Sequence, residues 1–269
     1  MVARNPRGMQ TVQAALRPGY FLRAAQLIEQ ALVTDSARVL IGTGFPVGNT
    51  FETDGPLGAI ALYRAIEKLG GNPVLVCGTP LADCLKNDFT TYKIAVADTA
   101  NREQEAQRGL DHWQPDLIIS IERPGLNAEG NYCNMRGEDI SANCASFDQF
   151  LNLASCPTIG IGDGGNEIGM GNVIDTLTTL DIMPSTTCCD ELVIADVSNW
   201  AAHGLIALLS SARGTDMLAG WDNIAVLRYL SSYGSVDGVS RENTLTEDGL
   251  DSEISEQLIA QLRKISGFC

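Results

Sequence analysis

The sequence predicts an α/β fold, a doubly wound and mostly parallel sheet with helices on both faces, in the manner of a Rossmann-like three-layer sandwich. Two observations carry this expectation. Short apolar runs rich in Val and Ile recur along the chain, at 38–41, 73–77, 92–96, 116–120, 158–161 and 191–195. They are continuous rather than alternating, which suits strands buried on both faces of a parallel sheet. Between them lie segments with helical spacing, and this strand–helix alternation is the mark of βαβ units.

Each run leads into small or acidic residues, as a strand end should. Leu57, Ala61, Leu62, Ala65, Ile66 and Leu69 fall on one helical stripe closed by Gly70-Gly71, a ready left-handed cap. Further helices are expected near 20–33, 101–112, 146–153, 199–212, 222–232 and 252–265, with Asp35-Ser36, Asp98-Thr99 and Ser198-Asn199 at turns or caps. The polar, glycine-bearing stretch 235–251 reads as a surface loop before the last amphipathic helix. No linker or repeat interrupts the chain, so residues 1–269 are read as a single α/β domain with an irregular insertion near 122–145.

Composition narrows the function. With 45% hydrophobic and 19% charged residues the 269-residue chain can bury a sizeable core. Thirty-three acids against 18 bases give a net charge of −15, which repels phosphate backbones and anionic lipid heads. Neither nucleic acid nor membrane is therefore expected as a partner. Eight cysteines without a CxxC pair, and two histidines, suit free thiols in a reducing cytoplasm better than a disulfide or zinc framework. Arg4, Arg7, Arg17 and Arg23 precede the first acid, Glu29, so a mitochondrial targeting segment stays open as an alternative.

In open parallel sheets, ligands bind beyond the carboxyl ends of the strands. Three loops stand out there. Residues 42–58 hold five glycines and two acids, including Gly44, Asp54 and Gly55, with Pro56 suited to the first turn of a helix. Residues 122–141 place Glu122, Arg123, Asn127 and Arg136 behind a buried strand; either they brace one another or the arginines fork a carboxylate. Residues 160–172 hold Asp163, Gly164, Gly165, Asn166 and Glu167, hard oxygen donors suited to Mg²⁺ or to acid–base work. Gly160 to Gly165 also satisfies GxGxxG, but an acid inside the motif sets it against a pyrophosphate. No lysine lies in a glycine loop and no GxSxG elbow exists, so a general base is expected to be a carboxylate.

Taken together, Gly42-Thr-Gly-Phe45, Glu52 to Gly58, Glu122-Arg-Pro-Gly125, Asn134-Met-Arg-Gly137 with Asp139-Ile-Ser141, and Gly162 to Gly171 resemble the D-glutamate cyclase family, in its C-terminal domain. The resemblance implies a lyase that forms 5-oxo-D-proline from D-glutamate with loss of water. Our reading of the residues assigns Asp163, Glu167 and Glu122 to catalysis. Gly44, Asp54, Gly55, Arg123, Asn127, Arg136, Gly164, Gly165 and Asn166 are assigned to substrate, and Asp54, Glu122 and Asp163 to a divalent cation such as Mg²⁺. The partner is a small amino acid, and a homo-oligomer is compatible with the chain. Two other readings remain: a nucleotide- or dinucleotide-dependent enzyme using residues 160–165, and a non-catalytic amino-acid-binding module.

Overall fold

The computed structural model describes residues 1–34 and 36–268; Asp35 and Cys269 lie outside them. In chain order the elements are α1 (Met9–Ala15), α2 (Tyr20–Ala31), β1 (Arg38–Thr43), the hairpin β2 (Pro46–Val47) and β3 (Thr50–Phe51), α3 (Pro56–Lys68), β4 (Asn72–Cys77), α4 (Leu81–Leu85), β5 (Thr91–Lys93), α5 (Arg102–Trp113) and β6 (Leu117–Ile121). There follow α6 (Asp148–Asn152), β7 (Thr158–Gly162), α7 (Ile174–Leu177), β8 (Glu191–Ile194), α8 (Ser198–Arg213), α9 (Asn223–Ser232), a second hairpin of β9 (Thr246–Glu247) and β10 (Leu250–Asp251), and α10 (Ser252–Ile265).

The six long strands form one parallel sheet in the order β5-β4-β1-β6-β7-β8. Alternate residues of each strand feed two cores. Val39, Ile41, Leu75, Leu117 and Ile119 join the core shared with α2, α3 and α8. Leu40, Val74, Val76 and Ile118 join the core shared with α5 and α6. This is the doubly wound three-layer sandwich that the continuous apolar runs predict. From β1 the chain moves outward through β4 and β5, then returns to the other side of β1 with β6. The order thus reverses between β1 and β6, where such sheets open a ligand crevice.

Two regions depart from expectation. Residues 235–251 are a surface loop only in part: 239–243 are exposed, but Ser235, Asp237 and Glu247 are fully buried, and Val236 pairs with Glu52 beside β3. The basic N-terminal stretch folds onto the body, where Asp196 after β8 accepts the N–H groups of Arg4 and Asn5 at 2.7 and 2.9 Å. The 122–145 stretch holds one short 3-10 turn, at Ser141–Asn143. Among the described residues no helix is long and apolar enough to cross a membrane.

The packing of α3 against α8 sets the geometry of the crevice. It depends on Gly58, because a Cβ there would lie 2.7 Å from Ile121 Cδ1 and 2.9 Å from Asn199 Oδ1. Replacing Gly58 with Val should therefore lower stability by about 1–3 kcal/mol through overpacking, measured as a shift of the urea midpoint; an unchanged midpoint contradicts the close approach.

Candidate active site

Three acids meet at the reversal point. Glu122 is the first residue after β6, Asp163 the first after β7, and Asp54 follows the β2–β3 hairpin that extends β1. All three are buried, and one carboxylate oxygen from each lies within 4.8 Å of the others. Glu122 sits at φ +43°, in the left-handed region that costs a non-glycine residue strain and is common at functional sites. Gly55, at φ +89°, lets the loop pass: a Cβ there would stand 2.6 Å from Glu122 Cβ.

The N-terminus of α8 holds this group together. Its first two N–H groups, of Ser198 and Asn199, donate to the two oxygens of Asp54 at 2.9 and 2.8 Å. The Ser198 hydroxyl donates to Glu122 Oε2. Asn199 Oδ1 accepts from the N–H of Gly55 and Gly58 at 2.9 and 2.8 Å, while its Nδ2 donates to Glu247 Oε2 at 2.7 Å. A carboxylate across two helix N-terminal N–H groups is favoured by both hydrogen bonding and the helix dipole. Ser198-Asn199, read from the sequence as a cap, therefore brackets two of the three acids.

Arg7 is the cation at the floor. It lies two residues beyond the segment pinned by Asp196, and pairs with Asp163 Oδ1 and Asp248 Oδ2, each at 2.6 Å. Sequence reasoning assigned no site role to Arg7, Asp248 or Glu52, which lies among the same cleft-lining residues. The cleft has a volume of about 400 Å³ and is bounded by the β2–β3 hairpin, the 122–145 stretch and residues 238–248. Arg136, exposed at its rim, and Asn166, buried in its wall, line it.

Other predicted residues turn out to be braces. The carboxylate of Glu167 accepts the N–H groups of Gly164 and Gly165 at 2.7 and 2.6 Å, with Asp163 N at 3.3 Å. It thus fills the anion nest that a pyrophosphate on GxGxxG would need, which removes the physical basis of the dinucleotide reading. Buried Arg123 donates to the carbonyls of Thr43, Gly44 and Ala145 and lies over the Phe147 ring. It ties three loops rather than forking a ligand. Gly44 packs beside it, at φ +104°, outside the acid cleft. Asn127 accepts from the N–H of Glu129 and Asn131, both at 3.0 Å, so it shapes its own loop.

Electrostatics follow from burial. Loss of solvation, then the charges of Asp248 and Glu247, pushes Asp54 up to about 8, although the N–H groups of Ser198 and Asn199 pull the other way. Glu52 and Glu122 are raised well above the carboxylate range by burial and then by neighbouring acids. Asp163 is raised by burial too, with Arg7 drawing it back. For Arg7, burial opposes the charge, but Asp163, Asp248 and Glu122 more than offset it and hold the guanidinium protonated. Asp54 can accept and return a proton near neutrality, and the oxygen donors of the floor suit an ammonium or a hard divalent cation.

These raised carboxyls bind protons more tightly folded than unfolded. From the ordinary carboxyl range near 4 up to about 8 for Asp54, the folded state holds more protons, so stability falls as pH rises. The melting temperature of the ligand-free protein should therefore drop between roughly pH 5 and pH 8, read by differential scanning fluorimetry; a rise across that window contradicts the assignment. Exchanging Arg7 for Met should cost about 3 kcal/mol by stranding buried carboxylates, with a larger loss at the alkaline end of the same scan.

The D-glutamate cyclase-like, C-terminal family model matches residues 1–263. The human protein D-glutamate cyclase, mitochondrial, is 31% identical over 219 residues, a match that covers 71% of this chain and 36% of the human protein. The chain thus spans about a third of the length of that curated relative. With the family model covering nearly all of it, the chain belongs to the D-glutamate cyclase-like, C-terminal family.

Proposed function

We propose that this domain closes D-glutamate to 5-oxo-D-proline with release of water. The observation that carries the reading is the convergence of Asp54, Glu122 and Asp163 with Arg7 at the reversal point of the sheet, in a chain of this family. The human relative's name supplies the reaction, and the cleft of about 400 Å³ is ample for an amino acid.

The chemistry explains why a buried acid cluster is useful. The substrate ammonium carries three protons. One stays as the lactam N–H, and two must travel to the oxygen that leaves the γ-carboxyl as water. The nitrogen lone pair freed by the first transfer forms the C–N bond to the γ-carboxyl carbon. The carbon–oxygen bond then breaks as the second proton arrives. No net proton enters or leaves, so the site needs groups that take a proton at nitrogen and return it at oxygen. Carboxyls raised toward neutrality do both. Asp163 is suited to the first transfer because Arg7 holds one oxygen while the other, Oδ2, is buried without a partner. Glu122, fixed by Ser198, and Asp54, poised near 8, are suited to the second.

Asp54, Glu122 and Asp163 also fit a divalent cation such as Mg²⁺, since one oxygen of each falls within 4.8 Å of the others. A bound ion would polarise the γ-carboxylate. Rim residue Arg136 is suited to the α-carboxylate of the substrate.

Incubation with each glutamate enantiomer, followed by chiral chromatography of 5-oxoproline, tests the reading. D-Glutamate should be converted, and Asp163→Asn should lower kcat by about 10²–10⁴-fold with a melting temperature near wild type. Activity lost in EDTA and restored by Mg²⁺ or Mn²⁺ would assign the three acids to a metal. Stabilisation by D-glutamate without product would instead favour an amino-acid-binding module.

A further inference from the structure

The wall and floor of the cleft carry acceptors that make no hydrogen bond among the described residues. Asp163 Oδ2 and Asn166 Oδ1 are buried without a hydrogen bond among the described residues. Both residues line the cleft, at 3% and 2% exposure. The Asn166 amide is not free to turn over, because its Nδ2 donates to the Cys133 carbonyl at 2.9 Å. Its oxygen is therefore fixed as the atom left over. Glu52 lines the same cleft at 7% exposure, near the charges of Asp248, Asp54 and Arg7. Arg7 shares this floor and pairs with Asp163 Oδ1 and Asp248 Oδ2, its Nη1 making no hydrogen bond of its own among the described residues. Buried acceptors without donors are costly, and native proteins keep few of them unless a ligand completes them.

We propose that Asp163 Oδ2, Asn166 Oδ1 and the Glu52 carboxylate form a subsite for the primary ammonium of the substrate. A primary ammonium brings three N–H donors and one positive charge to a region where two buried acceptors lack donors and acids outnumber the cation. A hydroxyl brings one donor and no charge, and a secondary amine brings two donors and a methyl group with no polar partner. This inference rests on the reading of the cleft as a glutamate site, and adds which atoms recognise the amine.

Isothermal titration with D-glutamate, N-methyl-D-glutamate and D-2-hydroxyglutarate tests it without relying on turnover. D-Glutamate should bind at least about 100-fold more tightly than either analogue, because each leaves buried acceptors unpaired. In the Asn166→Leu variant, D-glutamate should lose about tenfold or more while D-2-hydroxyglutarate changes by less than about threefold. If that variant does not fold, the three ligands on the wild-type protein decide alone. Affinities for the hydroxy acid and the amino acid within about threefold of each other would overturn the subsite. Selective binding of D-glutamate without conversion leaves the subsite standing and sinks the cyclase reading. Failure of all three ligands to bind overturns both.

Discussion

The seating of Asp54 across the first two N–H groups of α8 is the interaction on which the site depends. Without donors, three carboxylates with oxygens within 4.8 Å of one another would repel in a poorly solvated crevice. Here the helix start supplies fixed partial positive charge to Asp54, and its Ser198 hydroxyl turns Glu122 toward the same point. Asn199 extends the bracket to the α3 loop and to Glu247, so the second hairpin is tied to the same two residues. Arg7 adds a counter-charge, delivered by an N-terminal segment that Asp196 fastens beyond β8. Backbone dipoles and one guanidinium thus make a crowded acid floor tenable, while leaving Asp163 Oδ2 open.

The sheet supplies the place and the loops supply the chemistry. Reversal of strand order between β1 and β6 opens the crevice, and Glu122 and Asp163 stand at the ends of two neighbouring strands. The glycine-rich loop after β7 shows how similar patterns diverge in function. In a dinucleotide site its N–H groups would cradle phosphate; here Glu167 brings its own carboxylate to the nest. The loop is thereby rigid and internally neutralised, which holds Asp163 and Asn166 in place on either side of Gly164-Gly165.

Much of this was legible in the residues. Strands buried on both faces write themselves as unbroken Val and Ile runs, so the sandwich could be read directly; acids just past such runs marked Glu122 and Asp163, and the glycine-rich loop 42–58 marked Asp54. Arg123 and Glu167 occupy equally suggestive positions, yet one is spent on backbone carbonyls and the other on backbone N–H groups. Local sequence does not distinguish a side chain that binds a ligand from one that binds its own loop, because both need the same chemistry. Arg7 and Asp248 were hidden for another reason: they meet only through long-range folding, 241 residues apart. A signal did exist in the isolated basic residues of an acid-free N-terminal stretch. In 235–251 the exposed residues 239–243 fit a surface loop, whereas Ser235, Asp237 and Glu247 misled because they are buried, Glu247 against Asn199.

A crystal structure of the protein with 5-oxo-D-proline bound would test the central claim most directly. The account predicts the lactam nitrogen against Asp163 and Asn166, its ring carbonyl toward Glu122 and Asp54, and the α8 N-terminus unmoved with Asp54 still across Ser198 and Asn199. Product bound elsewhere on the molecule, or a floor in which Asp54, Glu122 and Asp163 no longer face one another, would contradict it.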